Sequence, residues 1–275
     1  MLKIIKTRLR QGHRTLKYPD GPPPPLSDRF RGLPLIDSSK CPEGCRECVE
    51  ACPTDAISFA ESASVDLGKC LFCTDCSDAC PEGAVSHSGD YRLSTRARTD
   101  LVLEEGRILK LAEALEGRAR RLFGRSLKLR QVSAGGCNAC EADVNVLNTL
   151  VWDIARFGVQ FVASPRHADG LLITGPVTEN MKLALQKTYE AVPSPKIVIA
   201  VGACAISGGP YAGHAEVHDG ADSVVPVDLY IPGCPPHPLT ILDGLLRLLG
   251  RLDSTRPTFR NGAAPTSSLQ ERSNE

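Results

Sequence analysis

Cysteine is the residue type with the strongest chemical signal in this chain. The 275 residues include 12 cysteines, and eight of them fall within positions 41–80. One run, CLFCTDCSDACP, has the spacing C-x2-C-x2-C-x3-C-P, and an upstream run, CPEGCRECVEACP, repeats it with three residues in the first gap. Thiolates at this spacing are typical ligands of 4Fe-4S clusters, in which each iron atom takes one cysteine sulfur. The two runs therefore predict two iron-sulfur sites.

The spacing also predicts that the two runs exchange one cysteine. The first three cysteines of a run bind one cluster, and the fourth reaches across to the other. The first predicted ligand set is Cys41, Cys45, Cys48 and Cys80, and the second is Cys70, Cys73, Cys76 and Cys52. Two structural zinc sites are the alternative, although zinc sites usually use two separated C-x2-C pairs rather than one crowded run. Iron-sulfur clusters in this arrangement pass single electrons.

The other four cysteines lie in glycine- and proline-rich loops of the second half of the chain. They are Cys137, Cys140, Cys204 and Cys234. The first pair stands in GGCNACEAD, and the others stand in VGACAISGG and IPGCPPHP. We expect these four thiolates to hold a third 4Fe-4S cluster, which accounts for all 12 cysteines. Buried free thiols, which are common in protein cores, are the alternative.

The segments around the last four cysteines alternate between strands and helices. LKLRQV runs directly into the first pair, and VQFVA, GLLITG, KIVIAVG and VDLYIPG have the pattern of buried strands. Helices are predicted at about 141–157, 177–191 and 238–249. This alternation predicts an α/β domain with a parallel, flavodoxin-like sheet, whose ligands bind outside the carboxyl ends of the strands. The four cysteines are expected at that edge.

The chain divides into five predicted regions. These are a basic docking arm at 1–34, an α+β ferredoxin-like two-cluster domain at 35–90, a linker helix at 91–125, the parallel-sheet domain at 126–250 and a disordered tail at 251–275. The arm carries apolar residues at Ile4, Ile5 and Leu9 and an extended proline run, with a solvated tail as the alternative. The linker helix is expected from helical spacing between Thr99 and Phe123.

Composition narrows the functional classes. Lys and Arg total 32, and Asp and Glu also total 32, so the formal net charge is zero and nucleic acid is a poor candidate partner. The sequence shows no secretory signal and no run long enough to span a bilayer. Clustered cysteines in such a chain favour metal ligation over disulfides. We expect a cytoplasmic protein whose membrane contact comes only through partners.

Several motifs in order resemble a known group of proteins. CNACE, RHADGLLITGPVTENM, GACAISGG and PGCPPHPLTIL, within 126–250, resemble the small subunit of energy-converting nickel-iron hydrogenases and the related 20 kDa subunit of respiratory complex I. The region up to about residue 90, with FRGLPLID, resembles the two-cluster ferredoxin subunit of the same complexes. The chain thus looks like a fusion of two subunits of a formate-hydrogenlyase-type or hydrogenase-4-type complex.

The resemblance implies a role in electron relay and a set of partners. Cys137, Cys140, Cys204 and Cys234 would hold the proximal cluster, facing a separate large subunit that carries the active site. The complex would be an oxidoreductase at the cytoplasmic face of the inner membrane. Complex I members carry adjacent cysteines at the first position, whereas hydrogenase small subunits carry C-x-x-C, as here. We therefore favour the hydrogenase branch, with a quinone-reducing complex I-like subunit and a stand-alone ferredoxin as alternatives.

Two acidic residues beside Cys140 are candidates for proton movement. Glu141 follows this cysteine directly and Asp143 lies two residues further on, both at the start of a predicted helix. An acidic residue in the first helical turn is also favoured by the helix dipole, which gives both residues a structural explanation. No residue of this chain is predicted to be catalytic, since the reaction would take place in the partner.

Overall fold

The computed structural model describes residues 2–12, 14–60, 62–124 and 126–252. The predicted disordered tail therefore lies almost wholly outside the described residues. The chain begins with an isolated helix, α1 (Leu2–Gln11), whose residues are all exposed. This helix was not predicted, because only the proline run of the arm was assigned a conformation, an extended one. No helix within the described ranges is long and apolar enough to cross a membrane.

The cysteine-rich region folds as two similar halves. Each half has a one-turn helix within its cysteine run and a short strand after it, as the repeat predicts. The elements are β1 (Pro34–Ile36), α2 (Glu47–Glu50), β2 (Ile57–Phe59), β3 (Ala63–Asp66), α3 (Asp75–Asp78), β4 (Val85–His87) and β5 (Val102–Glu104). β1 pairs with β4, and β2, β3 and β5 form a second antiparallel sheet. β2 ends the segment TDAISF and β4 ends the segment EGAVSH, so the two strands occupy matching positions after the two cysteine runs.

The predicted linker helix is wrong for most of its length. Residues 102–104 form β5, and helix appears only at α4 (Gly117–Phe123). Gly106 has a positive φ of 76°, which turns the chain out of β5, and the following segment runs without regular structure. Leu109, Leu111 and Leu115 are nevertheless buried. The spacing of the predicted residues, such as Leu111 and Leu115, therefore reflects packing of an irregular segment into two core clusters rather than one continuous helix.

The second half of the chain forms a five-stranded parallel sheet, as predicted. Its elements are β6 (Leu127–Ser133), α5 (Ala139–Val146), β7 (Val159–Phe161), β8 (Gly170–Thr174), α6 (Glu179–Ala191), β9 (Ile197–Val201), α7 (Ala203–Ser207), β10 (Leu229–Ile231) and α8 (Pro238–Leu248). The strand order is β7-β6-β8-β9-β10. β8 and β9 are buried at every residue, which is typical of strands covered on both faces.

One predicted helix in this domain is shorter than expected. The helix predicted at about 141–157 ends at Val146. The Thr149 hydroxyl donates to the Val146 carbonyl at 2.7 Å, and Asp153 takes a positive φ of 45°. These two features turn the chain toward β7, because the side-chain bond caps a carbonyl that a continued helix would use itself.

The two domains share a hydrophobic core. One face of the parallel sheet, including Leu171 and Ile173, belongs to the same buried cluster as Leu67 and Phe72 of the cysteine-rich domain. The opposite face packs against α5 and α8. Backbone bonds between Thr95 and Tyr230, at 2.9 and 3.1 Å, also attach the connecting segment to β10. Because apolar burial is continuous across the boundary, the two sets of cysteine loops are held in a fixed relation.

A buried polar network fixes the second part of the arm to α8. The Tyr18 hydroxyl donates to Asp243 at 2.9 Å, and Arg247 Nε donates to the other carboxylate oxygen at 2.7 Å. The Arg247 and Asp243 side chains are only 4% and 1% exposed. Burial and the neighbouring Asp243 raise the pKa of Tyr18, so its hydroxyl remains a donor. This part of the arm is therefore packed on the body of the protein.

Candidate iron-sulfur sites

The structure brings the first predicted cysteine set together. Burial raises the pKa of the Cys48 thiol, and the charges that raise it further are those of Cys41, Cys80 and Cys45. The first three cysteines of the upstream run are thus within electrostatic range of the last cysteine of the downstream run. The backbone amide of Ala84 donates to Cys80 Sγ at 3.2 Å. Such an N-H···S bond favours a thiolate and lowers the electron density on a ligand sulfur.

The second set shows the reciprocal exchange. Burial raises the pKa of Cys70 to about 12, and the neighbouring thiols that raise it are Cys76, Cys52 and Cys73. The same four cysteines line one cavity, whose remaining wall is largely apolar. The apolar lining consists of Pro34, Ile36, Pro53, Ala56, Ile57, Val65, Leu71 and Val85. A thiol-lined apolar cavity suits a cubane cluster, because a low-polarity shell limits solvent access to the bound metal.

The third set converges at the carboxyl edge of the parallel sheet. Strand register places the last residues of four strands in one row, namely Ser133, Thr174, Val201 and Ile231. The loops that carry all four cysteines leave this row. Burial raises the pKa of Cys204 to about 11, with Cys234 and Cys137 as the next causes. For Cys140, burial followed by the charges of Cys204 and Cys234 raises the pKa in the same way.

A glycine makes room for a cysteine within this third set. Gly202 has a φ of 91°, and a side-chain Cβ at this position would lie 2.5 Å from Cys140 Sγ. The loop after β9 can therefore approach Cys140 only with glycine here. Cys137 and Cys234 are exposed, while Cys140 and Cys204 are partly buried. The set thus has one side that is open to a partner.

The three thiol sets fit iron-sulfur clusters in donor chemistry and in number. Within the described ranges, no three His, Cys, Asp or Glu side chains meet closely enough to hold one metal ion. A cubane has a different requirement, because its thiolates bind four separate iron atoms. The buried thiols with raised pKa values would lose their protons on metal binding, since a thiolate is the ligand form.

The second and third sets are neighbours across the domain boundary. Burial is the main cause that raises the pKa of Cys234, and the charges of Cys137 and Cys73 raise it further. Cys73 belongs to the second set. Phe72, which precedes Cys73, lies with Cys234 in a surface cleft between the domains. Its φ is 53°, and its carbonyl accepts a bond from Arg31 Nη1 at 3.3 Å. Sequence reasoning missed Phe72, because no spacing rule marks an aromatic residue inside a cysteine run as an interdomain contact.

The two acidic residues beside Cys140 have different surroundings. Glu141 is 6% exposed and accepts hydrogen bonds from Ser133 and Thr174. Asp143 is partly buried in the interdomain cleft, and burial raises its pKa. His237, also in the cleft, caps α8 by accepting a bond from the Leu239 amide at 3.1 Å, and burial lowers its pKa. Only Asp143 combines access to the cleft with an acidic side chain, and the proton role of both carboxylates stays a prediction.

Comparisons with known proteins agree with this two-part architecture. Residues 37–84 match the 4Fe-4S dicluster domain, and residues 137–248 match the NADH ubiquinone oxidoreductase 20 kDa subunit family. The chain is 42% identical over 132 residues to a probable membrane-bound hydrogenase subunit of Pyrococcus furiosus, covering 48% of this chain and 79% of that protein. It is 45% identical over 129 residues to formate hydrogenlyase subunit 7 of Escherichia coli, covering 47% of this chain and 51% of that protein.

Two further comparisons concern respiratory proteins. An NADH-quinone oxidoreductase subunit of Heliobacterium modesticaldum is 43% identical over 122 residues, covering 44% of this chain and 70% of that protein. A protein of the membrane-bound sulfane sulfur reductase, an archaeal respiratory membrane complex, is 35% identical, with 48% of this chain and 73% of that protein covered and a TM-score of 0.43. From these sequence matches, the chain belongs to the NADH ubiquinone oxidoreductase 20 kDa subunit family and carries a 4Fe-4S dicluster domain in the same polypeptide.

Proposed function

We propose that this protein is an electron-transfer subunit that relays single electrons through three 4Fe-4S clusters to or from a partner large subunit. The observation that carries the proposal is the division of all 12 cysteines into three neighbouring sets, two of them in the dicluster domain and one at the edge of the sheet. Each cluster, when bound, would accept and release one electron. The cysteines would hold the clusters, and the shared core would fix the spacing between them.

The order of the relay follows from which sets are neighbours. The second set, Cys52, Cys70, Cys73 and Cys76, is connected to both of the others. It shares the cysteine-rich domain with the first set, and its Cys73 interacts with Cys234 of the third set. Electrons would therefore pass between the first and the third set by way of the second. The third set is the exit toward the partner, because Cys137 and Cys234 are exposed at the sheet edge.

The partner that fits best is a hydrogenase-like large subunit in a membrane-bound complex. The hydrogenase and formate hydrogenlyase relatives support this assignment, as does the C-x-x-C spacing of Cys137 and Cys140. The parallel strand order, second-first-third-fourth-fifth along the chain, supports a flavodoxin-like fold for this half. A quinone-reducing complex is the second candidate, favoured by the match to the NADH-quinone oxidoreductase relative. Either complex would place this chain at the cytoplasmic face of the membrane.

The arm supplies a surface for a further subunit of the same complex. α1 has no acidic residue, and Leu2, Ile5 and Leu9 are 84%, 53% and 78% exposed. At helical spacing these three residues form one narrow apolar stripe, which is the anchor pattern of a helix bound in a protein groove. Lys6 and Arg10 lie beside the stripe, so the partner groove would be rimmed by carboxylates.

The test of the proposed function is a metal analysis of anaerobically purified protein with its native partners. Three clusters require about twelve iron atoms and twelve acid-labile sulfides per chain. A nickel-containing partner that co-purifies in equal amount would support the hydrogenase assignment, and a nickel-free partner would favour the quinone-linked one. About eight iron atoms would contradict the third cluster.

A further inference from the structure

Glu141 is a buried carboxylate at the base of the third cysteine set. It follows Cys140 in the first turn of α5, and only 6% of its surface is exposed. Acidic residues in a first turn usually face solvent or the free helix amides. Glu141 instead turns inward to the sheet, where a charged group is costly unless polar partners surround it.

The partners of Glu141 come from the ends of two adjacent strands. Its Oε1 accepts a bond from Ser133 Oγ at 2.6 Å and from Thr174 Oγ1 at 2.7 Å. Ser133 ends β6, Thr174 ends β8, and the two residues are directly opposite in the strand register. One oxygen atom of Glu141 thus joins two strands and the first turn of α5.

This junction sets where two cysteines can lie. Between β6 and α5 the chain passes through Gly136, whose added Cβ would lie 2.9 Å from Gly175 Cα, and then through Asn138 with a φ of 70°. The turn is therefore tight and needs an anchor to hold one conformation. The two hydrogen bonds of Glu141 fix how the first turn of α5 is oriented and how close it lies to the sheet. They therefore also fix Cys140 within that turn and Cys137 just before it.

We infer that Glu141 is a positioning residue that holds Cys137 and Cys140 in place for the third cluster. It acts through its hydrogen-bond acceptor, so an uncharged side chain of the same shape is expected to preserve the arrangement. The inference deepens the proposed function and rests on it for the presence of a third cluster. The positioning role applies to Glu141 and not to Asp143, because the Asp143 side chain makes no hydrogen bond to any residue that the structure describes.

The test compares variants of the full chain, purified without oxygen. Glu141→Ala removes the acceptor, Glu141→Gln keeps an oxygen acceptor without the charge, and the double change Ser133→Ala with Thr174→Val removes both donors. Asp143→Ala is the matched control on the same helix. Iron and sulfide per chain are measured together with the electron paramagnetic resonance spectrum of the reduced protein and the reduction potential of each signal.

We expect Glu141→Ala and the double variant to lose about four of about twelve iron atoms and one of three cluster signals, while the dicluster signals persist. Glu141→Gln should recover the iron and the signal, with a more positive potential for that cluster because a nearby negative charge is gone. Asp143→Ala should keep all three signals. If wild-type protein holds about twelve iron atoms and Glu141→Ala keeps them with unchanged spectra, the inference alone is overturned.

Two other outcomes also test the positioning role of Glu141. If Glu141→Gln loses as much iron as Glu141→Ala, an oxygen acceptor at this position does not hold the third cluster in place, and the positioning role is refuted. If the wild-type protein itself holds only about eight iron atoms, the proposed function and this inference fail together.

Discussion

The close approach of the loop after β9 to Cys140 gives a sharp prediction for Gly202→Ala. Gly202 has a φ of 91° and a ψ of 156°, a backbone region that only glycine enters readily. An alanine there costs about 1–3 kcal/mol in backbone strain. Its Cβ would also lie 2.5 Å from Cys140 Sγ, and relieving such an overlap in a packed site costs about 1–3 kcal/mol more.

The matched control is Gly213→Ala. Gly213 also has a positive φ, of 78°, but nothing lies within 4 Å of an added Cβ. Its alanine variant should lose only the backbone cost of about 1–2 kcal/mol. Both variants carry backbone strain, so iron per chain is the readout that reports the contact with Cys140 directly.

The assay is thermal unfolding together with iron per chain. We expect Gly202→Ala to unfold several degrees below Gly213→Ala and to lose about four iron atoms, since Cys140 must shift out of the third set. Gly213→Ala should keep its full iron content. Equal midpoints and equal iron in the two variants would refute the close packing of this loop on Cys140.

Three further predictions follow from the cysteine exchange, the buried network and the arm. Cys52→Ala should abolish the cluster of the second set although the residue stands in the upstream run, and spectra that lose the first-set signal instead would contradict the exchange. Asp243→Ala leaves the Arg247 charge buried without its carboxylate and should cost about 3–5 kcal/mol of unfolding free energy, measured by denaturant titration; a loss below about 1 kcal/mol would disprove the network's role. Leu9→Ser should weaken retention of this chain in its native complex, while Leu183→Ser on α6, 64% exposed, should not; equal retention of both would count against docking through α1.

The sequence alone predicted the parts of this protein that local spacing controls. The motif C-x2-C-x2-C-x3-C-P predicts the exchange of cysteines, because the fourth cysteine of such a run reaches the other cluster. The buried strands β8 and β9 were readable as apolar runs, and the parallel sheet followed from their alternation with helices. The sheet edge then indicated where Cys204 and Cys234 would meet the first pair. The ligand sets themselves stay predictions until iron is measured.

The tertiary structure decided what depends on contacts between distant segments. The spacing of Ile108, Leu111 and Leu115 predicted a helix, but Leu111 and Leu115 are buried in an irregular segment, where they belong to different core clusters. Glu141 next to Cys140 had two explanations in sequence, and only the strand register showed that Ser133 and Thr174 satisfy it. The adjacency of Cys73 and Cys234 likewise depends on a core that both domains share, since apolar burial across a boundary leaves no periodic signal in either segment.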